Sequence, residues 1–439
     1  LDAAGYTIAV GGNFYQRQGT FNVNGGTVNI IGDYIIEKED GSRANSILQM
    51  TNTSDYITVG GNFLMDSSWS HSDKLTAGTL EIKGDFTEKY NYQSRSTHTN
   101  FQATGNHKVI LSGSGTQSVM FETASSGTSC FSELELNNTG TLEFASKAAV
   151  TGNIINKMSI VPINITNLYL AGTATINSGL SNEGEWPWDM AIHENVTLAQ
   201  DISIGGDYYL LGNCTVDPGG YTINIGGNFY QRKGTLNVNG SIINITGDYI
   251  IEEEDESCAV AYLQMADVAD YITVDGNFIM HSQYSSNTLS AGVLEVKGDF
   301  TQKHKPMSTS ANENFNATGN HKVILSGSSQ SVSFAKPHSN DSCFANLELN
   351  NTGTLEFVSR VAVTGNLIYT SSNEPGNVTN LYPAGMATIN GGTWPWDMGL
   401  YENWTLQQNE TIEGDLHIFS GSYDENGYTL TVGGSIITH

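Results

Sequence analysis

Basic residues are scarce in this chain. Eighteen Lys and Arg stand against 45 Asp and Glu, for a formal net charge of −27. Nucleic acid and anionic membrane surfaces both need Lys and Arg to displace counterions, so neither is expected as a partner. An acidic surface suits solubility and attracts cations without specifying either role. Charged residues of both signs make up only 14% of the chain, so Asn, Ser, Thr and Gln must cover much of the surface. Runs of Ala, Leu, Glu and Lys that would favour helix are missing. No stretch of about 18 apolar residues occurs, so no membrane insertion by a helical span is expected. Proline is rare, with 8, and cysteine rarer, with 4. Cys130 and Cys343 lie in matching phrases, SCFSELELN and SCFANLELN, whereas Cys214 and Cys258 have no counterpart, Arg43 aligning with Cys258. Unmatched cysteines make no disulfide framework, and no C-x-x-C spacing points to zinc, so buried, unbridged thiols are expected. The chain begins with Leu and shows no signal peptide, which reads as a processed product or a piece of something larger.

What the chain has instead is repetition. GYTIAVGGNFYQRQGTFNVNG starts at Gly5, and GYTINIGGNFYQRKGTLNVNG starts at Gly220. The two differ only at Ala9/Asn224, Val10/Ile225, Gln18/Lys233 and Phe21/Leu236. The phrase begins a third time at Gly427, as GYTLTVGG. This divides the chain into one repeat over 1–219, a second over 220–426, and the first strand of a third over 427–439, a possible junction between subunits. Tandem units of about 210 residues point to one elongated body in which each part packs on its neighbours.

A shorter period runs inside the long one. β-Branched residues lead into a Gly-Asn or Gly-Asp pair, often followed by an aromatic, as at Gly12-Asn13, Gly32-Asp33, Gly61-Asn62 and Gly84-Asp85, and again at Gly227-Asn228, Gly247-Asp248, Gly276-Asn277 and Gly298-Asp299. TVNIIGDYII, YITVGGNFLM and TLEIKGDFTE show the period-2 pattern of short strands. Gly is expected to supply positive φ, and Asn or Asp to bond the local backbone, so each pair reads as a tight corner. A strand-and-corner unit of about 20 to 25 residues predicts an all-β, elongated parallel β-solenoid, right-handed by prior. A string of β-sandwiches is the competing architecture, but no Cys–Trp–Cys framework or tyrosine corner is present. The stretches 37–46, 252–261, 88–100 and 302–314 read as lateral loops. The weakly patterned segments 155–167 and 368–380 are candidates for a change in cross-section.

The phrases carried by Gly32-Asp33-Tyr34, Leu48-Gln49-Met50, Asp55-Tyr56, Lys83-Gly84-Asp85-Phe86 and Thr104 to Ser114 recur at Gly247-Asp248-Tyr249, Leu263-Gln264-Met265, Asp270-Tyr271, Lys297-Gly298-Asp299-Phe300 and Thr318 to Ser328. Over most of each repeat they make the chain similar to the long tandem modules of large secreted surface proteins of Gram-positive, clostridia-like bacteria. That resemblance implies an extracellular, extended structural element and supplies no catalytic residue. The chain departs from those proteins in being short and in lacking an attached enzyme or fibronectin-like module.

Several residue groups have chemistry to weigh. His107 and His321 lie in an identical phrase, TGNHKVILSGS. Without a nucleophile phrase beside it, a strand-start residue bonding the neighbouring coil is expected rather than a general base. Asp33, Asp85, Asp248 and Asp299 are better explained by turn chemistry than by paired-carboxylate catalysis. The run Glu252-Glu253-Glu254-Asp255-Glu256 lacks a calcium-loop pattern and reads as a solvated loop. WPWDM occurs twice, placing Trp186 and Trp188 in one repeat and Trp394 and Trp396 in the other. A packing plug, a sugar-stacking platform and an inter-subunit contact are its three readings. Asn-x-Ser/Thr sequons, including Asn164, Asn195, Asn244 and Asn377, permit glycosylation in a secreted protein.

Neither end reads as a cap: both hold the same coil phrase. Uncapped solenoid ends expose strand edges, and a head-to-tail contact that does not close produces a fibre. The inward residues Ile8, Val10, Leu430 and Val432 are the candidate assembly ends. The sequence thus predicts an extracellular or cell-surface structural protein that partners itself end to end, with no catalytic residue, metal ligand or cofactor. An adhesin or binder of surface glycans is the alternative, and a polysaccharide-active enzyme the third reading.

Overall fold

In the strand Thr27–Ile30, Val28 and Ile30 are buried while Thr27 and Asn29 face outward, the alternation that a pleated strand imposes. The same phase holds in strand after strand, and parallel pairing puts like on like. In the computed structural model, which describes residues 1–89, 100–178, 183–283, 288–303 and 314–439, Ile8, Val28, Ile57, Leu80, Val109, Leu134, Ile154 and Ile176 are register partners in one file. This eight-stranded parallel ladder belongs to the first of two compact units, Leu1–Gly205. In the second, Gly206–His439, the counterpart file runs Ile223, Ile243, Ile272, Leu294, Val323, Leu347, Leu367 and Ile389. Each such side chain adds about 1.5–3 kcal/mol when fully buried.

Two further ladders accompany the long one in each unit. In the first unit, Phe14–Tyr15, Tyr34–Ile36, Phe63–Met65, Phe86–Glu88, Gln117–Phe121 and Leu142–Phe144 form the second. The third starts with Gln18–Asn22 on Asn45–Gln49 and continues through single parallel bridges such as Met50↔Leu75 and Leu75↔Ala103. Both units are therefore parallel β-solenoids. Among the described residues there is no α-helix, only the 3-10 turns Ile165–Asn167, Val378–Asn380 and Asn390–Gly392. The repeat, phased on Gly220, and the compact units, divided after Gly205, cut one periodic chain at different points.

The pairs from Gly12-Asn13 to Gly84-Asp85 stack as equivalent corners, but Gly105-Asn106, Gly152-Asn153, Gly319-Asn320 and Gly365-Asn366 stand at a different corner, where the chain enters the long ladder. The Asp33 N–H donates to Asn13 Oδ1, the Asn62 N–H to Asp33 Oδ1, the Asp85 N–H to Asn62 Oδ1 and the Ser118 N–H to Asp85 Oδ1, at 2.9, 2.7, 2.7 and 2.8 Å. In the second unit, Asp207, Asn228, Asp248, Asn277 and Asp299 form the same chain of acceptors. The expected positive φ is found at Gly105 and Gly319, at 60° and 59°, but the glycines of the stacked corners play another role. Gly32, Gly61, Gly84, Gly247, Gly276 and Gly298 do not have positive φ. They are required by close approach: a Cβ on Gly61 would lie 2.3 Å from Asp33 Oδ1, and one on Gly84 2.5 Å from Asn62 Oδ1. The aromatic after each pair points inward and stacks on the next. Phe14, Tyr34, Phe63 and Phe86 have successive centroid separations of 5.0, 5.4 and 5.6 Å. Tyr208, Phe229, Tyr249, Phe278 and Phe300 repeat the column at 5.1, 4.7, 5.5 and 5.1 Å. The buried hydroxyls of Tyr34 and Tyr249 donate to Gln16 and Gln231, whose amides in turn donate to backbone carbonyls.

The weakly patterned segments contain the 3-10 turns at Ile165–Asn167 and Val378–Asn380, each entered through a left-handed asparagine, Asn164 at φ 55° and Asn377 at φ 52°. The long ladder of the second unit stops at Thr388–Ile389. After the turn Asn390–Gly392, a new three-stranded ladder begins at Thr393–Trp394.

Candidate functional site

The WPWDM phrase of the second unit sits at that change of ladder. Trp394 is fully buried, and its indole N–H donates to the Asp397 carbonyl at 3.1 Å. Trp396 is half-buried and meets Trp394 edge to face at 5.0 Å, with Tyr369 against both rings. In the first unit Trp186 and Trp188 are 2% and 7% exposed and also meet edge to face, at 5.2 Å. A sugar-stacking platform needs an open ring face. Three of these four rings are buried, and the fourth is held between neighbours.

His107 and His321 are fully buried. Their imidazoles do not bond the neighbouring coil, contrary to the sequence expectation: neither ring nitrogen of either residue has a hydrogen-bond partner. Each ring lies edge-on to a phenylalanine, Phe101 or Phe315, at 5.9 Å. Burial lowers both pKa values to about 3, so the rings are neutral core side chains. The bonds to adjacent segments come from the backbone, Glu133 N–H donating to the His107 carbonyl and Asn346 N–H to that of His321.

The corner aspartates Asp33, Asp85, Asp248 and Asp299 each give Oδ1 to the coil above. The acidic run divides. Glu254, Asp255 and Glu256 are exposed, but Glu252 is 5% exposed and takes Lys303 at 2.8 Å and His281 at 2.9 Å. The lateral stretches 88–100 and 302–314 lie largely outside the described residues. All four cysteines are buried and none is in a disulfide. Burial pushes the Cys130 thiol up to about 11, away from thiolate chemistry.

At the two ends, Ile8 and Val10 are half-buried, whereas their register partners Val28 and Ile30 are 1% and 2% exposed. Leu430 and Val432 are likewise half-buried, on Glu410 and Ile412 at 1% and 0%. Among the described residues, one group has metal-ligand character: Asp397, Asp415 and His417, of which the sequence reading took Asp397 only as part of WPWDM and Asp415 only as part of a Gly-Asp corner pair. The signal was present, because aligning Gly414-Asp415-Leu416-His417 with Gly206-Asp207-Tyr208-Tyr209 shows a histidine where the first repeat has tyrosine.

No helix among the described residues is long and apolar enough to cross a membrane. No protein-family model, curated protein or solved structure matches the chain.

Proposed function

We propose that this chain is an extracellular structural protein, a β-solenoid subunit of a surface fibre or head-to-tail filament. The observation that supports the reading is the unbroken register of the parallel ladders, in which Val28, Ile57, Leu80 and Val109 follow one another in a single apolar file. GYTLTVGG at the last coil and GYTIAVGG at the first share one phase. Laid in the register used throughout each unit, Leu430 would meet Ile8 and Val432 would meet Val10 of a second copy. The junction would complete the apolar files and add backbone hydrogen bonds of about 1 kcal/mol net each. The resemblance to secreted surface modules supports the extracellular setting. The mechanism is mechanical, with load carried along ladders of backbone hydrogen bonds.

Electron microscopy of the purified protein tests this. The proposal expects filaments from the full chain, and short particles after deletion of 427–439. Particles of one subunit from the full chain at high concentration would refute it.

A further inference from the structure

Two successive corner residues of the second unit meet a histidine. Asp397 follows the WPW phrase, and Asp415 lies one coil on, in the pair Gly414-Asp415. They stack as other corner residues do: the Asp415 N–H donates to Asp397 Oδ1 at 2.8 Å, and the Ser435 N–H to Asp415 Oδ1 at 2.7 Å. His417 is two residues beyond Asp415, and its Nε2 lies 3.9 Å from Asp397 Oδ2. One ligand-capable atom from each of the three lies within 4.8 Å of the other two, and all three residues are half-buried.

Two other observations bear on the histidine. Its Nδ1 lies 3.0 Å from Nε2 of His439. With the proton on Nδ1 of His417, His439 accepts, and the Nε2 lone pair of His417 is turned toward Asp397. Fixing one ring nitrogen in this way is how a second shell prepares the other as a ligand. The His439 ring is itself stacked on Phe419 at 4.3 Å, and Phe419 on Tyr401 at 4.5 Å. In the first repeat's phrase the arrangement is different: Tyr209 stands in the place of His417, and its hydroxyl donates to Asp207 Oδ2 at 3.1 Å. The nitrogen donor is therefore a feature of the second repeat alone.

We propose that Asp397, Asp415 and His417 form a binding site for one divalent transition-metal ion of the zinc, nickel or copper kind. An imidazole with two carboxylates suits these borderline ions, while calcium and magnesium prefer all-oxygen shells of six or more. Donors at about 2.1 Å from zinc must lie within about 4 Å of one another, so a small side-chain adjustment closes the set. Three protein ligands leave coordination open to water or to a group from outside. The ion would offset two like charges on an acidic chain and tie the coil of Asp397 to that of Asp415 and His417.

Isothermal titration of the full chain with zinc, and with calcium and magnesium as controls, tests the site. Two variants are matched to the fold: His417→Tyr installs the residue of the first repeat, and Asp397→Asn keeps the acceptor for the Asp415 N–H. Circular dichroism checks that both are folded. The proposal expects a zinc site in the wild type, at least tenfold weaker in each variant, and a zinc-dependent rise in Tm that both variants lose. Absence of zinc binding by the wild type, undiminished binding in either folded variant, or calcium binding as tight as zinc would overturn it.

Discussion

The backbone N–H of Asn62 donates to Oδ1 of Asp33, one coil below, at 2.7 Å. Each corner residue thus supports its successor, and either Asn or Asp serves because both carry Oδ1. That explains why the two alternate along the column. Asp33→Asn is expected to leave stability within about 0.5 kcal/mol, whereas Asp33→Ala, which removes the acceptor, costs about 1 kcal/mol. Urea midpoints of the two variants check the difference.

The glycine before each corner residue is there for space. Gly84→Ala would put a Cβ 2.5 Å from both Asn62 Oδ1 and the Gly61 carbonyl carbon, whereas Gly12→Ala meets nothing within 4 Å. The first substitution is expected to cost about 2 kcal/mol and the second less than about 0.5. Equal costs would contradict the close-approach account.

His107 and His321 give stability a pH dependence. Burial holds both rings at about 3, below the ordinary imidazole value, so between about 6.5 and about 3 the unfolded chain binds more protons than the folded one. Their contribution is present above the ordinary value and is lost as pH falls, at about 1.4 kcal/mol per pH unit for each ring. Replacing both by Leu should lower the acid-unfolding midpoint. An unchanged midpoint would place charged or solvated rings there.

Glu88 acts with the opposite sign. It is fully buried, accepting Ser129 Oγ at 3.1 Å, and burial raises its pKa to about 7. Between the ordinary carboxyl value and about 7 the folded chain holds a proton that the unfolded chain has released, so stability falls as pH rises through that window. The second repeat has Gln302 in the matching phrase. Glu88→Gln should therefore stabilise the protein by about 1–3 kcal/mol at pH 8 and by little at pH 4. Thermal melts at the two pH values check this.

Legibility in the sequence followed periodicity. Gly32-Asp33-Tyr34 announced a corner followed by an aromatic, because both recur from coil to coil, but the inward direction of the aromatic came from the structure. The reason for the glycine was not legible, since a close approach depends on the coil below and leaves no mark that separates it from positive φ. His107 looked like a hydrogen-bonding residue because nothing in its phrase shows that the ring packs on Phe101, six residues upstream, with both ring nitrogens unpaired. Differences between repeats held information that similarity obscured. Arg43 pairs with Asp66 at 3.4 Å, and at the aligned positions Cys258 and His281 replace both partners, His281 turning to Glu252. His417 in place of Tyr209 is the same kind of signal.

End-to-end assembly is tested most directly by cross-linking across the junction. Ala9 and Thr431 are both exposed, on the outward sides of the first and last coils. In the proposed register they become neighbours on adjacent parallel strands, about 4.8 Å apart, within the Cα separation a disulfide accepts. Ala9→Cys protein mixed with Thr431→Cys protein under oxidising conditions should give a disulfide-linked dimer, with little from either variant alone. The predicted result is that dimer, reversible by reductant; a mixture that stays uncrosslinked at high concentration would contradict the account.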